Sequence, residues 1–325
     1  MEKTRKWRWG VNRWWILGFT ILGIVAVNLF APVQPHIQVA AEKLIEEPIL
    51  HLGPLGDLYL TNTLTATVLL DIIILVIALM VRSATRKGSL VPGGLAGAME
   101  MGIEAVYNMT ESSAGKWAKK IFPWFMTILL VVLVANLVKL LPGFETIGLI
   151  HHATKDGHAV QQLSAGIATV TPEHGEYMLT PFLRGVSTDL NFTAALALIA
   201  VVMTQVIGVQ AQGMRYFSKF LNFTTIFKKP FFGFMDFIVG LLETISEFAK
   251  VISFTFRLFG NMFAGMVLVA LIGVMIPVFV PSLVFMFEFF IGLIQAFVFG
   301  MLTMTFMAQA TQGHGDHEEH AGHES

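Results

Sequence analysis

The chain has no cysteine, so no disulfide can staple it, and neither thiolate metal ligation nor thiol redox chemistry is open to it. Charge is the next scarcity. Asp, Glu, Lys and Arg make up 13% of the 325 residues, about half of the roughly 25% usual in soluble domains. With a formal net charge of −1, composition points to no nucleic-acid partner and no strongly acidic substrate, and what charge there is acts by position. No glycine-rich phosphate loop and no HExxH spacing occurs, which leaves nucleotide chemistry and zincin-type hydrolysis without a site here. Repeats at the 20–50-residue periods of solenoids are absent as well.

What is present is apolar: 55% hydrophobic residues, with 28 Phe and 17 Met that serve as packing filler and lipid contact. A bilayer core takes about 20 apolar residues per helix. Six runs qualify: Trp14–Phe30, Asn62–Val81, Phe122–Leu141, Phe192–Gly213, Phe237–Val280 and Leu283–Ala308. The fifth is too long for one perpendicular crossing. It reads as one strongly tilted helix from about Met235 to Ile272, with Val274–Pro281 as the turn, because Pro277 and Pro281 stop helical continuation. The fold class is therefore an all-α polytopic membrane protein: five core helices, an extra N-terminal helix, and a long tilted hairpin at the end.

Three segments are expected by sequence: an N-terminal extension (1–60), the main membrane domain (61–311) and a His-rich tail (312–325) read as solvated. The first apolar run favours a retained helix over a cleaved leader, since it is long and its small-x-small pattern is poor. Basic residues cluster before the first and third runs and after the second and fourth (among them Arg13, Arg82, Lys116, Lys119, Lys120 and Arg215). By the positive-inside rule these lie on the cytoplasmic side, with both termini. Residues 31–61 and 143–188 then lie outside, the latter reading as a flexible loop with His151, His152, His158 and His174. Residues 83–121 read as an interfacial helix whose Glu100 and Glu104 face water.

An ionisable group inside a span costs several kcal/mol and faces a cavity or partner, so such positions carry the information. In the fifth run Glu243, Ser246, Lys250, Ser253, Arg257 and Asn261 follow one another at spacings of 3, 4, 3, 4 and 4, which places them on one helix face. From Glu243 to Arg257 is about 21 Å at 1.5 Å per residue, a path from the cytoplasmic end to mid-membrane. The stripe fits two uses: a water-accessible groove ending at a guanidinium, or a polar face that only pairs with neighbouring helices. In the last run Glu288 and Gln295 share a face. A guanidinium keeps its proton, so Arg257 is a poor relay but a good barrier, and it would hold a passing carboxylate ionised. That carboxylate must come from a partner.

The strings RLFGNMFAG (Arg257–Gly265) and LIQAFVF (Leu293–Phe299), with the Val91–Gly93 turn, Asn136-Leu137, Leu140–Gly143 and STDLNFT (Ser187–Thr193), resemble subunit a of the F-type ATP synthases over about residues 60–311. The resemblance implies a non-nucleotide-binding, cofactor-free subunit of a bacterial cell membrane. It implies a proton-translocating stator facing a c-ring, with peripheral-stalk b subunits and the rest of the F1Fo complex as partners. It makes Arg257 the charge separating two half-channels, Gln295 and Asn261 its neighbours, and Glu243, with Ser246 and Ser253, the cytoplasmic path. Glu288 becomes the outer acid. Two positions depart from the pattern: Met266 stands where relatives often carry His or Glu, and Lys139 where some carry an acid. Glu288 is then expected to work with water, Asp189 or Asn191, on an outer path that also includes Asn136. Lys139 reads as a lysine snorkelling to the interface, and Asp71 as a helix-packing hydrogen bonder rather than a channel group. The competing reading, a self-contained transporter, would need a substrate site at repeated or unwound helices; none is evident.

Overall fold

The computed structural model describes residues 9–30, 32–33, 37–51, 53–86, 95–141, 143–164, 167–219 and 230–312. The Val91–Gly93 turn, Pro142, the His-rich tail and several of the basic flanking residues lie outside the described residues.

Among the described residues, seven α-helices hold most of the chain: α1 (Trp9–Leu29), α2 (Asn62–Arg86), α3 (Leu95–Ala114), α4 (Ala118–Val138), α5 (Leu190–Gln212), α6 (Pro230–Met275) and α7 (Val280–Thr311). Among the described residues, five helical stretches are long and apolar enough to cross a membrane, as a polytopic all-α membrane protein requires. Hydrocarbon offers no hydrogen-bond partner to a peptide group, so helices, which satisfy their own backbone, are what these apolar sequences form.

The bundle closes through helical stripes of small and branched residues. On α4 the buried positions include Ile121, Phe125, Ile128, Leu129 and Val132; on α5 they include Thr193, Leu196, Ala197, Ala200 and Thr204; on α7, Gly292, Ala296, Phe299, Gly300 and Thr303. One cluster draws Ile128 and Val132 from α4, Ala197 and Ala200 from α5, Phe254, Leu258 and Met262 from α6, and Ala296 and Phe299 from α7. Small residues let the backbones approach where no hydrophobic gradient drives helices together. A Cβ at Gly292 would stand 3.1 Å from Cβ of Asn136, and one at Gly300 2.8 Å from the ring of Phe125, so α4 and α7 run antiparallel in close contact.

Helix α6 is a single 46-residue element, about 69 Å at 1.5 Å per residue. The expected proline turn follows it: Pro277 lies in the turn, Phe279 takes a positive φ of 71°, and Pro281 sits in the first turn of α7. The segment read as an interfacial helix is more closely tied in. Its α3 packs on α4 and α7, with Tyr107 edge-on to Phe122 and Thr110 fully buried, while Glu100 and Glu104 are exposed.

The two long segments that the sequence places outside are more ordered than it suggested. Residues Lys43–His51 (β1) and Asp57–Thr61 (β2) form one hairpin, and Gly148–Ser164 (β3) and Ile167–Pro181 (β4) a longer one. The supposed flexible loop is thus a paired ribbon, in register from Gly148 opposite Pro181 to Ser164 opposite Ile167 with several bulges. His151 bonds Thr180 Oγ1 (3.2 Å), the rings of His152 and Tyr177 meet at a tilt with centroids 4.6 Å apart, and His158 faces His174 across the pair. Beside the ribbons, buried side chains knit the adjoining ends of the helices. Arg184 donates to the carbonyls of Ala40 (2.9 Å) and Gln38 (2.6 Å), and Asn62 exchanges hydrogen bonds with Glu42. Asp71 departs from its expected packing role: it is exposed on α2, whose contact stripe is Ala66, Leu70 and Ile74.

Candidate functional site

Three polar features lie along α6. At its middle, the side of Ile252, Ser253, Phe256, Gly260 and Asn261 is exposed, while Phe254, Thr255, Leu258 and Met262 are buried in the bundle. Arg257 stands half-buried between the two sides. Its Nη2 donates to Ser253 Oγ over a long 3.4 Å, and its Cζ lies 6.0 Å from the ring of Phe254. Among the described residues no carboxylate pairs with it. One turn on, Asn261 Nδ2 donates to Gln295 Oε1 (3.0 Å), tying α6 to α7, and the Gln295 amide nitrogen is buried with no hydrogen-bond partner among the described residues.

Beyond Asn261 a cavity of about 160 Å³ opens between α6 and α7, lined by Lys139, Asn261, Gly265, Leu268, Glu288 and Ile291 among others. Glu288 is 5% exposed and its Oε2 is 3.3 Å from Lys139 Nζ. The other oxygen, Oε1, is buried without a hydrogen bond and lies against Gly265, where a Cβ would collide with it. Lys139 is therefore not a snorkelling lysine. Its ammonium also reaches the Met262 carbonyl (3.5 Å), because the chain leaving α4 turns it inward to meet the only carboxylate of α7.

Toward the other end of α6, Tyr216 Oη donates to Gln205 Oε1 (2.8 Å), Gln205 Nε2 to Glu247 Oε2 (2.9 Å), and Lys250 Nζ to Glu247 Oε1 (2.8 Å). Lys250 also lies 4.7 Å from the ring of Phe306. This network joins α5, α6, α7 and the turn after α5. Glu243 is half-buried one turn before Glu247, and Ser246 is exposed.

A family model described as ATP synthase A chain matches residues 64–308. The chain belongs to that family. Proteins named ATP synthase subunit a resemble it at similar levels. That of Moorella thermoacetica is 27% identical over 266 residues, covering 82% of this chain and 96% of its own. That of Geotalea uraniireducens is 28% identical over 283 residues, 87% of this chain and all of its own. The Mycobacterium ulcerans protein is 29% identical over 262 residues, 79% and 89% of the two. The expectation of F-type ATP synthase subunit a, a non-catalytic subunit of the membrane sector, holds.

In this chain the structure brings together Arg257 with Ser253, Asn261 with Gln295, and Glu288 with Lys139. It does not bring Asp189 or Asn191 into the cavity. Asp189 caps α5 by accepting from Asn191 N (2.9 Å), and its second oxygen accepts from Thr63 Oγ1 (2.7 Å). Asn191 is exposed, and Asn136 donates to the Gly292 carbonyl (3.1 Å) at the α4–α7 contact. Sequence reasoning missed Glu247, Gln205 and Tyr216. Gln205 carried a signal, an amide in the middle of the apolar run VVMTQVIG. Glu247, three residues before Lys250, is spaced for the i,i+3 pair it makes.

Glu145, in the loop after α4, lies near Lys139, Arg184 and Glu288. Burial pushes its carboxyl up from the ordinary carboxylate range, outweighing the Gly185 N–H (2.9 Å) and the nearby Lys139 and Arg184 charges. A raised folded pKa means that the folded loop holds the proton better than the unfolded chain does. Its stabilising share is complete below the ordinary range and falls as pH rises through the raised value. Hydrogen exchange at Gly185–Thr188 should therefore quicken, beyond its intrinsic pH dependence, as pH rises to neutral. In Glu145→Gln that excess should vanish; an unchanged excess would assign it to another group.

Proposed function

We propose that this chain is the proton-translocating stator of the membrane (Fo) sector, with two offset half-channels meeting at Arg257, which faces a carboxylate on a rotor ring. One observation carries the reading: Arg257 sits at the edge of an exposed face of α6 without an acidic partner among the described residues of its own chain. An unpaired cation in hydrocarbon is costly, and a rotor carboxylate arriving at that face supplies its counter-charge. Exposed Phe290, Leu293, Ile294 and Phe297 of α7 and Ile252 and Phe256 of α6 give such a ring an apolar surface.

On this reading, Glu288 and the cavity above Asn261 form the outer inlet. Glu243, Ser246 and the Glu247 network form the cytoplasmic outlet, and the C-terminus and the basic helix ends are cytoplasmic. A proton from outside neutralises the rotor acid, which then leaves Arg257 into lipid; after rotation the acid meets the outlet, loses its proton and returns ionised to the guanidinium. Moving one charge through 100 mV yields about 2.3 kcal/mol, too little for one ATP, so transfers are summed by rotation. The remaining partners are the peripheral-stalk b subunits and the rest of F1Fo.

Glu288→Gln is the test of the inlet. In vesicles holding the assembled complex, passive proton flux with the outer side as source should fall by about tenfold or more, the scale of losing a proton-transfer group. Unchanged flux would remove Glu288 from the path.

A further inference from the structure

The cavity between the outer ends of α6 and α7 holds an arrangement that neither helix could make alone. Lys139 comes from the end of α4, its side chain 5% exposed, and Glu288 from α7, 6% exposed, at 3.3 Å. In the described parts of α6 beyond Arg257, and of α7 apart from Glu288, no side chain is ionisable. The other charged groups of the cluster are Glu145, from the loop after α4, and Arg184, from the segment before α5; Glu145 feels Lys139, Arg184 and Glu288. The set is two acids and two cations.

Within it the two oxygens of Glu288 are unequal. Oε2 is held by Lys139, whereas Oε1 has no hydrogen bond and rests in the space that Gly265 leaves open at the cavity. Met266, the next residue on α6, carries no proton. We propose that Lys139 is a positioning residue of the outer inlet: its ammonium fixes one oxygen of Glu288, keeps that carboxylate ionised, and turns the other oxygen to the cavity to receive the incoming proton. The inference rests on Glu288 being the inlet acid. The step balances simply. A proton from outer water adds to Oε1, Lys139 keeps its three N–H bonds, and the same proton leaves for the rotor carboxylate, restoring the ion pair.

A cation beside a carboxylate lowers its pKa, and burial without the cation raises it. In vesicles carrying the assembled complex, passive proton flux from the outer side is measured against outer pH. Lys139→Met should move the midpoint of that profile upward by about one pH unit or more, and Lys139→Arg should bring it back toward the parent. In a Glu288→Gln background, Lys139→Met should cause no further shift. An unshifted profile in Lys139→Met, or a shift that persists in that background, overturns the proposal while leaving Glu288 in place. If Glu288→Gln itself changes nothing, the reading beneath the proposal fails instead. Infrared difference spectra of the parent against Glu288→Gln serve even where Lys139→Met does not assemble: an ionised carboxylate band at neutral pH is expected, and a protonated carboxyl band would overturn the proposal.

Discussion

Arg257→Lys is expected to abolish ATP-driven proton pumping by the assembled complex, a loss of at least about a hundredfold, as for removal of a preorganised electrostatic group. The reason lies in what surrounds the side chain. Its neighbours are Ser253 Oγ at 3.4 Å and the ring of Phe254 at 6.0 Å, both uncharged. A guanidinium does not give up its proton, whereas a lysine ammonium loses its charge more readily when desolvated. On the proposed reading, a neutral amine would neither hold the rotor acid ionised nor stop a proton from passing between the half-channels. Acidification of inverted vesicles on ATP addition, normalised to the amount of complex in the membrane, reads the effect; pumping at the parental rate would end the proposal that Arg257 is the separator.

The largest structural effect should come from Gly300. A Cβ there would stand 2.8 Å from Phe125 Cε2 and 3.2 Å from Leu129 Cβ. Phe125 is fully buried among Ile121, Leu129, Ile207 and Met304, so its ring has nowhere to go. One or two extra methylenes in a well-packed core cost about 1–3 kcal/mol, and Gly300→Leu adds more than that at the closest α4–α7 approach. Against a total stability of about 5–15 kcal/mol, the subunit should fail to accumulate in the membrane. Gly260 is the contrast. Nothing lies within 4 Å of a Cβ placed there, so Gly260→Ala should accumulate normally. Immunoblots of washed membranes decide, and parental levels of Gly300→Leu would mean that the two helices can separate more than their packing indicates.

The parts of the site that were legible in sequence depend on local periodicity. The spacing of Ser253, Arg257 and Asn261 placed them together because a helix repeats every 3.6 residues, and Glu288 and Gln295 followed the same rule. The long α6 and its proline turn were legible because an apolar run and two prolines suffice to predict them. Lys139 was not, since a lysine three residues before Pro142 at a helix end has the same sequence context whether it reaches for water or inward for Glu288. Only the α4–α7 packing, fixed by Gly292 and Gly300, brings that acid to it. The β3–β4 ribbon was hidden for another reason. Its pairing is interrupted by bulges between His152 and Gly157 and again before Val160, which breaks the two-residue alternation that marks a strand.

The interval between the two proposed half-channels has an electrical consequence. On the proposed reading, the outlet network ends at Lys250 and the inlet cavity begins at Asn261, 11 residues apart on α6, or about 16 Å of helix. A membrane potential falls where water and mobile ions are absent, so it would drop across this interval instead of the ~30 Å hydrocarbon core. The local field is then nearly twice that in plain bilayer. On that reading the voltage falls over the stretch of α6 that carries Arg257.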